Sequence, residues 1–363
     1  MSRITFVHPK LSERGGAERK MLLIIAELIA RGHKVELILN HLNKQGTFGE
    51  LIPPQCLLTC LTGDKRLWTL RTAWYLLKNR PDVTVAHNHP AQFAVGLFQC
   101  LQRTAHTLWI CNEVIPELTP HHSLIWKLWY FFDRYMVHHF SKRVVNSAFT
   151  AESFHRWYGQ YPEVIHSGVQ IYTKYAELTN HICCADFHLP ERFLLTVSRI
   201  ERHKNIHFIE RIAQHLPEIP LVVAGTGSEF EWLKSLEVTF PNIKILGAVS
   251  EEQKFFLLYN AVAFCFLPEA EPLGVTVMEA IGAGTPVIAF NQGGPREVIL
   301  HGVNGFLCDN EIQYLQYTQN IYHKTVSLST EPSDFEGYIF EKFSNQVMVK
   351  NFSDVIEKLC VTS

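Results

Sequence analysis

The stretch Glu271-Pro272-Leu273-Gly274-Val275-Thr276-Val277-Met278-Glu279 decides how this chain reads. Just before it, Val262-Ala263-Phe264-Cys265-Phe266-Leu267 is a continuous apolar run, the pattern of a strand buried on both faces. The order is therefore strand, turn, Glu271, helix start, Glu279. A helix start offers unpaired backbone N–H groups and the positive end of a dipole, which suits a diphosphate. At a rise of about 1.5 Å per helical residue, the two carboxylates are separated by at most ~12 Å. One can accept hydrogen bonds from a sugar and the other from a ribose, with the diphosphate between them. The plainer alternative is a surface helix carrying two solvated glutamates.

The sequel favours the first reading. Ala280-Ile281-Gly282-Ala283-Gly284 ends the helix, Pro286–Phe290 reads as the next strand, and Gly293-Gly294-Pro295-Arg296-Glu297 and Gly302-Val303-Asn304-Gly305-Phe306-Leu307 follow. This run resembles the C-terminal signature of glycosyltransferase family 4, retaining enzymes of GT-B architecture. The resemblance extends over nearly the whole chain and is strongest over residues 193–310.

A chain of 363 residues divides naturally into two domains. Before residue 170, strands and helices alternate. Ile4–His8 reads as a strand, Gly15–Arg31 as a helix, Lys34–Leu39 as a strand, Leu67–Lys78 as a helix, and Val83–Ala86, Thr107–Cys111 and Arg143–Asn146 as strands. Alternation of this kind implies a parallel sheet covered on both faces. The pattern weakens over residues 170–190. A second series follows at Phe193–Val197, Leu221–Ala224, Ile243–Leu246, Val262–Leu267 and Val287–Phe290. The fold class is α/β, with two Rossmann-like, doubly wound domains; the resemblance implies that they face each other across a cleft. Residues 1–169 form an acceptor-side domain and 170–342 a nucleotide-sugar domain. Residues 343–363 form an amphipathic helix, which the resemblance carries back to the first domain.

Composition excludes several other classes. No run of about twenty apolar residues exists, so no membrane-spanning helix is expected. The N-terminus enters a strand directly, without the layout of a signal peptide. Nine cysteines lack paired spacing and read as free thiols in a reducing cytosol. The chain is thus expected in the cytoplasm, at most peripheral on the inner face of a membrane. The formal net charge of −2 hides an asymmetry: residues 1–170 carry 19 Lys and Arg against 12 Asp and Glu, a net of +7, and the remainder is at −9. A basic N-terminal half suits an anionic partner. It carries no nucleic-acid motif, so no nucleic-acid partner is expected. The segment Trp126, Lys127, Trp129, Tyr130, Phe131, Phe132, Arg134, Tyr135, Phe140, Lys142, Arg143 mixes aromatic and basic side chains, as a helix on an anionic membrane surface would; core packing with solvated cations is the alternative.

Several loops after strands carry candidate chemistry. Gly15-Gly16-Ala17-Glu18-Arg19 opens the first helix, where glycines admit a ligand to the backbone; it resembles the family's GGxER pattern, which faces donor diphosphate and acceptor. Arg199 and Lys204, five apart on one loop, can converge on one diphosphate, the Arg as a fork and the Lys as a compact charge. They resemble the family's R-x4-K motif, although Asn205 stands where glycine is common. Gly225-Thr226-Gly227 is a weak GxG signal; in the family this turn borders the nucleotide, and the segment containing Val249 reads the base through its backbone. Ser250 to Gln253 reads as a capping box. His87-Asn88-His89-Pro90 and Cys111-Asn112-Glu113 end two strands. Their polar groups could meet substrate hydroxyls, with structural histidines as the alternative. Many relatives carry His where Asn112 stands, and an amide cannot serve as a base at neutral pH.

The resemblance implies an enzyme, a hexosyltransferase. It moves a sugar, mannose favoured from GDP-mannose, from a nucleoside-diphosphate donor to a glycan, polysaccharide or lipid-linked acceptor. The setting would be lipopolysaccharide or similar glycan assembly. Arg199, Lys204 and Glu271 carry the chemistry. Gly15, Gly16, Gly225, Gly227, Val249, Leu273, Gly274, Val275 and Glu279 bind donor, and Glu18, His89, Asn112 and Glu113 face the sugar or acceptor. No cofactor and no metal are expected, since no DxD pair ends a strand. A binding protein that keeps the pocket without turnover, or a phosphorylase or epimerase on the same scaffold, is the alternative.

Overall fold

The computed structural model describes residues 1–11, 16–42, 51–64, 67–113, 124–170, 187–328 and 332–361. It divides into two compact units, one formed by Met1–Gly168 with Asn345–Ser363 and the other by Val169–Ser344.

The first unit holds β1 (Arg3–Val7), β2 (Lys10–Leu11), β3 (Lys34–Leu39), β4 (His41–Leu42), β5 (Leu57–Cys60), β6 (Val83–His87), β7 (His106–Cys111), β8 (Lys142–Val145) and β9 (Glu163–Val164). Seven of these form one sheet in the order β5-β3-β1-β6-β7-β8-β9, all pairs parallel, while β2 and β4 pair separately. Side chains alternate across each strand, so both faces must be covered. On one face Ile4, Phe6 and Leu37 pack with Met21, Ile25 and Leu28 of the helix Gly16–Ala30 and with Phe352 and Ile356 of the helix Asn345–Val361. On the other, Val7, Ile38 and Trp109 meet Trp68, Phe98 and Phe154 from the helices Trp68–Asn79, Ala91–Leu101 and Ala148–Tyr158.

The second unit holds β10 (Leu194–Val197), β11 (Leu221–Ala224), β12 (Ile243–Gly247), β13 (Ala263–Phe266), β14 (Val287–Phe290) and β15 (Gly305–Cys308). Its single parallel sheet runs β12-β11-β10-β13-β14-β15. Leu195, Val222 and Phe264 face one core, and Leu194, Val223 and Cys265 the other. In both sheets the strand order reverses beside the first strand, between β1 and β6 and between β10 and β13. At such a reversal the loops leaving neighbouring strands diverge to opposite faces, and a crevice opens at the carboxyl ends.

A helix Pro332–Phe343 precedes the expected tail helix, which spans Asn345–Val361, and the two are broken at Ser344. The first belongs to the second unit, with Ile339 and Phe343 in its core, and the second to the first unit. The strands β5, β9 and β15 carry weak sequence signals. β9 has two residues, and β15 opens on Gly305, where a Cβ would lie 2.1 Å from the Val287 carbonyl oxygen. Phe352 is fully buried against the Gly16–Ala30 helix. Replacing it by alanine is expected to cost about 3–5 kcal/mol in a denaturant titration, through lost burial and a residual cavity.

Candidate active site

In the second unit the sequence builds a cluster on the crevice between β10 and β13. The chain leaving β10 runs through Ser198 and Arg199 into a short 3-10 turn, Arg202–Lys204. Asn205 ends that turn in the left-handed region, at φ 53°. Gly adopts this conformation freely and Asn more readily than most residues, so the departure from the family's glycine keeps the backbone shape. The Asn205 side chain also donates to the Leu267 carbonyl at 3.2 Å, tying the loop after β10 to the loop after β13.

That tie aligns Lys204 with Glu271. Lys204 Nζ donates to Glu271 Oε2 at 2.6 Å, and both side chains are largely buried. Read separately from sequence as a diphosphate ligand and a sugar ligand, the two are partners here. Arg199 takes a different position. Its side chain is 62% exposed and pairs with Glu201 at 3.0 Å, which leaves much of its guanidinium fork facing solvent.

The glycines of this region make room for backbone. A Cβ on Gly225, at φ 137°, would lie 1.8 Å from the Ser198 carbonyl oxygen, and one on Gly227 would lie 2.3 Å from that of Ile200. These two residues seat the Arg199 loop. Ile200 N donates to the Thr226 carbonyl, and Glu229 N to that of Ile200. In the same way a Cβ on Gly294 would meet the Pro272 carbonyl oxygen at 2.2 Å, and Gly294 N donates to the Glu271 carbonyl at 2.9 Å. The Gly293-Gly294 turn thus supports the segment carrying Glu271.

Gly274 precedes the helix Val275–Gly282 at φ 84°, a left-handed N-cap with no side-chain cap, and its carbonyl accepts from Val277 N at 3.0 Å. Leu273 is buried, and Val275 and Val249 each pack on the same core. Glu279, in the second turn, has a side chain only 9% exposed and pairs with Lys254 at 2.9 Å. Lys254 also pairs with Glu251 at 3.2 Å. Burial works to lower the Lys254 pKa, but Glu279 and Glu251 outweigh it and the ammonium is held above its usual range. Lys254 gave no signal in sequence, because it sits in the first turn of a helix that Ser250 and Gln253 cap by the expected box and reads there as an ordinary surface charge.

In the first unit a second polar cluster lies at the carboxyl ends of β1, β6 and β7. Gly15 lies outside the described residues; Gly16 begins the helix, with open space where a Cβ would stand. Glu18 in the first turn lies 3.7 Å from His8 Nε2. Burial raises the Glu18 pKa, but the His8 contact and the helix-start amide outweigh it and keep the carboxylate below its usual range. His89 Nδ1 meets Glu113 at 3.3 Å. Asn112 is drawn inward, where its Oδ1 accepts from Lys20 Nζ at 2.7 Å and its Nδ2 donates to Asn88 Oδ1 at 2.8 Å.

Lys20 is a second residue that sequence reasoning missed. It is 4% exposed, its hydrogen bonds go to the neutral groups Asn112 and Ser167, and its ammonium lies 4.5 Å from the centre of the Phe352 ring. Burial pulls its pKa down to about 7. Its position in the helical pattern was legible; its burial follows only from the Asn345–Val361 helix that covers it.

The aromatic-basic segment divides. Phe140 is in the core and Tyr130 packs edge-on against Trp157, while Phe131, Phe132 and Tyr135 are 68%, 58% and 51% exposed. Lys142 pairs with Glu163, and Arg143 donates to the Val137 and His138 carbonyls at the end of the helix Leu124–His139. The Trp126, Lys127 and Trp129 side chains lie outside the described residues.

The family model for Glycosyltransferase Family 4 matches residues 14–171, and that for Glycosyl transferases group 1 matches residues 186–321. The alpha-1,3/1,6-mannosyltransferase ALG2 of Homo sapiens is 24% identical over 411 aligned positions, covering 99% of this chain and 96% of that protein. The ALG2 of Saccharomyces cerevisiae is 23% identical, covering 98% and 84%. Among solved structures, Anabaena Alr3699/HepE in complex with UDP superposes with a TM-score of 0.79 at 19% identity, covering 98% of this chain and all of that one. Two Rossmann-like sheets with these matches define a GT-B glycosyltransferase. The chain belongs to glycosyltransferase family 4 and is similar along its whole length to mannosyltransferases.

The buried Lys20 ties stability to pH. Its folded pKa is about 7, below the unfolded value of about 10.4. Between those values the unfolded chain binds the extra proton, so stability contributed through Lys20 rises with pH, and below about pH 7 its penalty is full. Lys20→Met should remove that rise. The stability gap between the Met variant and the wild type, measured by denaturant titration, is expected to narrow by roughly 3–4 kcal/mol from pH 7 to pH 10.

Proposed function

We propose that this enzyme transfers mannose from GDP-mannose to a lipid-linked glycan, with retention of the anomeric configuration and without a metal ion. The observation that carries the reading is the Lys204–Glu271 pair, which joins the loop after β10, where Arg199 also stands, to the segment after β13 that continues through the helix start at Gly274 to the Lys254–Glu279 pair. The full-length similarity to ALG2 mannosyltransferases supports the choice of sugar and acceptor.

In this reading the diphosphate lies against the helix start, where Arg199, Lys204 and the N–H groups of Val275 and Thr276 take up the charge that grows as the bond from the anomeric carbon to the phosphate oxygen breaks. Glu279 accepts hydrogen bonds from the ribose, held in place by Lys254. Glu271 accepts from the sugar hydroxyls, held by Lys204. Both carboxylates are thereby committed to positioning. A scheme with two carboxylates flanking the anomeric carbon does not fit these roles. The acceptor oxygen attacks instead on the face the diphosphate leaves, and its proton passes to the departing phosphate oxygen. In the first unit Gly16, Glu18, His89, Asn112 and Glu113 serve substrate on their own cluster, and in the second the turns at Gly225, Gly227 and Val249 shape the donor site.

A lipid-linked acceptor calls for work at a membrane surface. Among the described residues no helix is long and apolar enough to cross a membrane. Phe131, Phe132 and Tyr135, exposed beside Arg134 on the helix Leu124–His139, have the composition of a peripheral contact with an anionic leaflet, on the cytosolic face.

Binding, kinetic and product measurements test this. In a thermal-shift screen GDP-mannose should stabilise the protein more than UDP- or ADP-sugars, by about 2.7 kcal/mol at a hundredfold excess over Kd. Glu279→Ala should weaken that binding, while Lys204→Ala should lower kcat about 100-fold with donor binding little changed. An inverted product anomer, or turnover abolished by EDTA, would defeat the mechanism. Separately, Phe131→Ser with Phe132→Ser should reduce cosedimentation with anionic phosphatidylserine vesicles and raise KM for a lipid-linked acceptor but not for donor. Unchanged cosedimentation would remove this face from the membrane contact.

A further inference from the structure

We propose that Glu201 is a positioning residue for the donor: its carboxylate takes one terminal nitrogen of Arg199 and holds the guanidinium in one orientation, with its remaining N–H groups free for the diphosphate. The inference rests on the reading of Arg199 as a diphosphate ligand.

Glu201 is the junction of the loop after β10. Its N–H donates to the Arg199 carbonyl at 2.9 Å and its carbonyl accepts from Lys204 N at 2.9 Å, so it links the two cations through the main chain. Ile200, between Arg199 and Glu201, is fully buried; its N–H donates to the Thr226 carbonyl and its own carbonyl accepts from Glu229 N. The main chain beneath the pair is thereby fixed. Above it the Glu201 carboxylate divides its two oxygens: Oε1 accepts from Arg199 Nη1 at 3.0 Å, and Oε2 lies 3.1 Å from His203 Nδ1. The Glu201 side chain is 29% exposed against 62% for Arg199, so the acid is the better shielded and better anchored of the two. Among the described residues no other acid pairs with Arg199.

Two effects of this acid oppose each other. An arginine side chain has many rotamers, and ordering it when a ligand arrives costs binding energy that a prior contact removes. Against that, a carboxylate close to a diphosphate repels it. Ordering wins here for two reasons. The contact uses Nη1 alone, and a guanidinium carries five N–H donors in a fixed plane, so anchoring one end directs the others. The repulsion acts across that cation in a setting open to water, where it is screened. Exposed ion pairs contribute little when two long side chains must be ordered to form them. Arg199 and Glu201 stand two residues apart on a turn already closed by main-chain bonds, which lowers that cost.

The test is a calorimetric titration of the full chain with GDP, which presents the diphosphate without the sugar. Glu201→Ala should weaken GDP binding about fivefold, the size of one hydrogen bond, and lower donor kcat/KM by the same factor. Glu201→Gln keeps the side-chain length and an oxygen able to accept from Arg199, and should recover part of that loss. In an Arg199→Ala background Glu201→Ala should change nothing further, whereas an acid that only shaped the turn would still weaken binding there. Unchanged or tighter GDP binding in Glu201→Ala would overturn the proposal; tighter binding in both Glu201 variants would make the acid a competitor of the diphosphate. An equal loss with and without Arg199 would overturn it as well. GDP binding untouched by Arg199→Ala would instead overturn the reading of Arg199 as a diphosphate ligand, and the proposal with it.

Discussion

Everything distinctive in this protein hangs on the reversal of strand order in a parallel sheet. Where β10 meets β13, the chain leaving one strand departs on one side and the chain leaving its neighbour on the other, so their carboxyl ends stand over an open crevice. The helix Val275–Gly282 starts soon after the second of these strands, and charged side chains on the two loops are close neighbours without any proximity in sequence. Lys204 and Glu271 are 67 residues apart and share a hydrogen bond. The first unit repeats the geometry: His8 follows β1, His87 ends β6, and the two rings meet 79 residues apart.

A crevice of this kind needs backbone at close quarters, and glycines supply it. Gly225 and Gly227 lie beneath the Arg199 loop, and Gly293 and Gly294 beneath the segment carrying Glu271. Their part in the site is to let two loops approach without side chains between them, which fixes where Lys204 and Glu271 stand. A sequence motif that looks like a ligand-binding glycine pair is here equally a packing requirement. The two roles are compatible, since a loop pressed onto its neighbour is a rigid place from which to hold a diphosphate.

The charges are arranged in pairs. Glu271 is held by Lys204 and Glu279 by Lys254, each pair mostly shielded from water. Shielding raises the cost of leaving either partner alone, so the pairs resist rearrangement and keep the carboxylate oxygens in place. Lys20 differs, because its hydrogen-bond partners are neutral and its ammonium lies on a phenyl ring, and its proton is correspondingly easy to lose.

By itself the sequence determined the two α/β series, the parallel sheets, the helix start after Glu271 and the resemblance to family 4, because apolar periodicity, glycine turns and short motifs are local and survive translation into backbone. It did not mark Lys254 or Lys20, and it assigned Lys204 and Glu271 to separate tasks. Those outcomes belong to the tertiary structure alone. A lysine's role depends on what lies beside it and how much water reaches it, and both are settled by strands and helices distant in the chain: the helix Val275–Gly282 for Lys254, the loop after β13 for Lys204, and the helix Asn345–Val361 for Lys20.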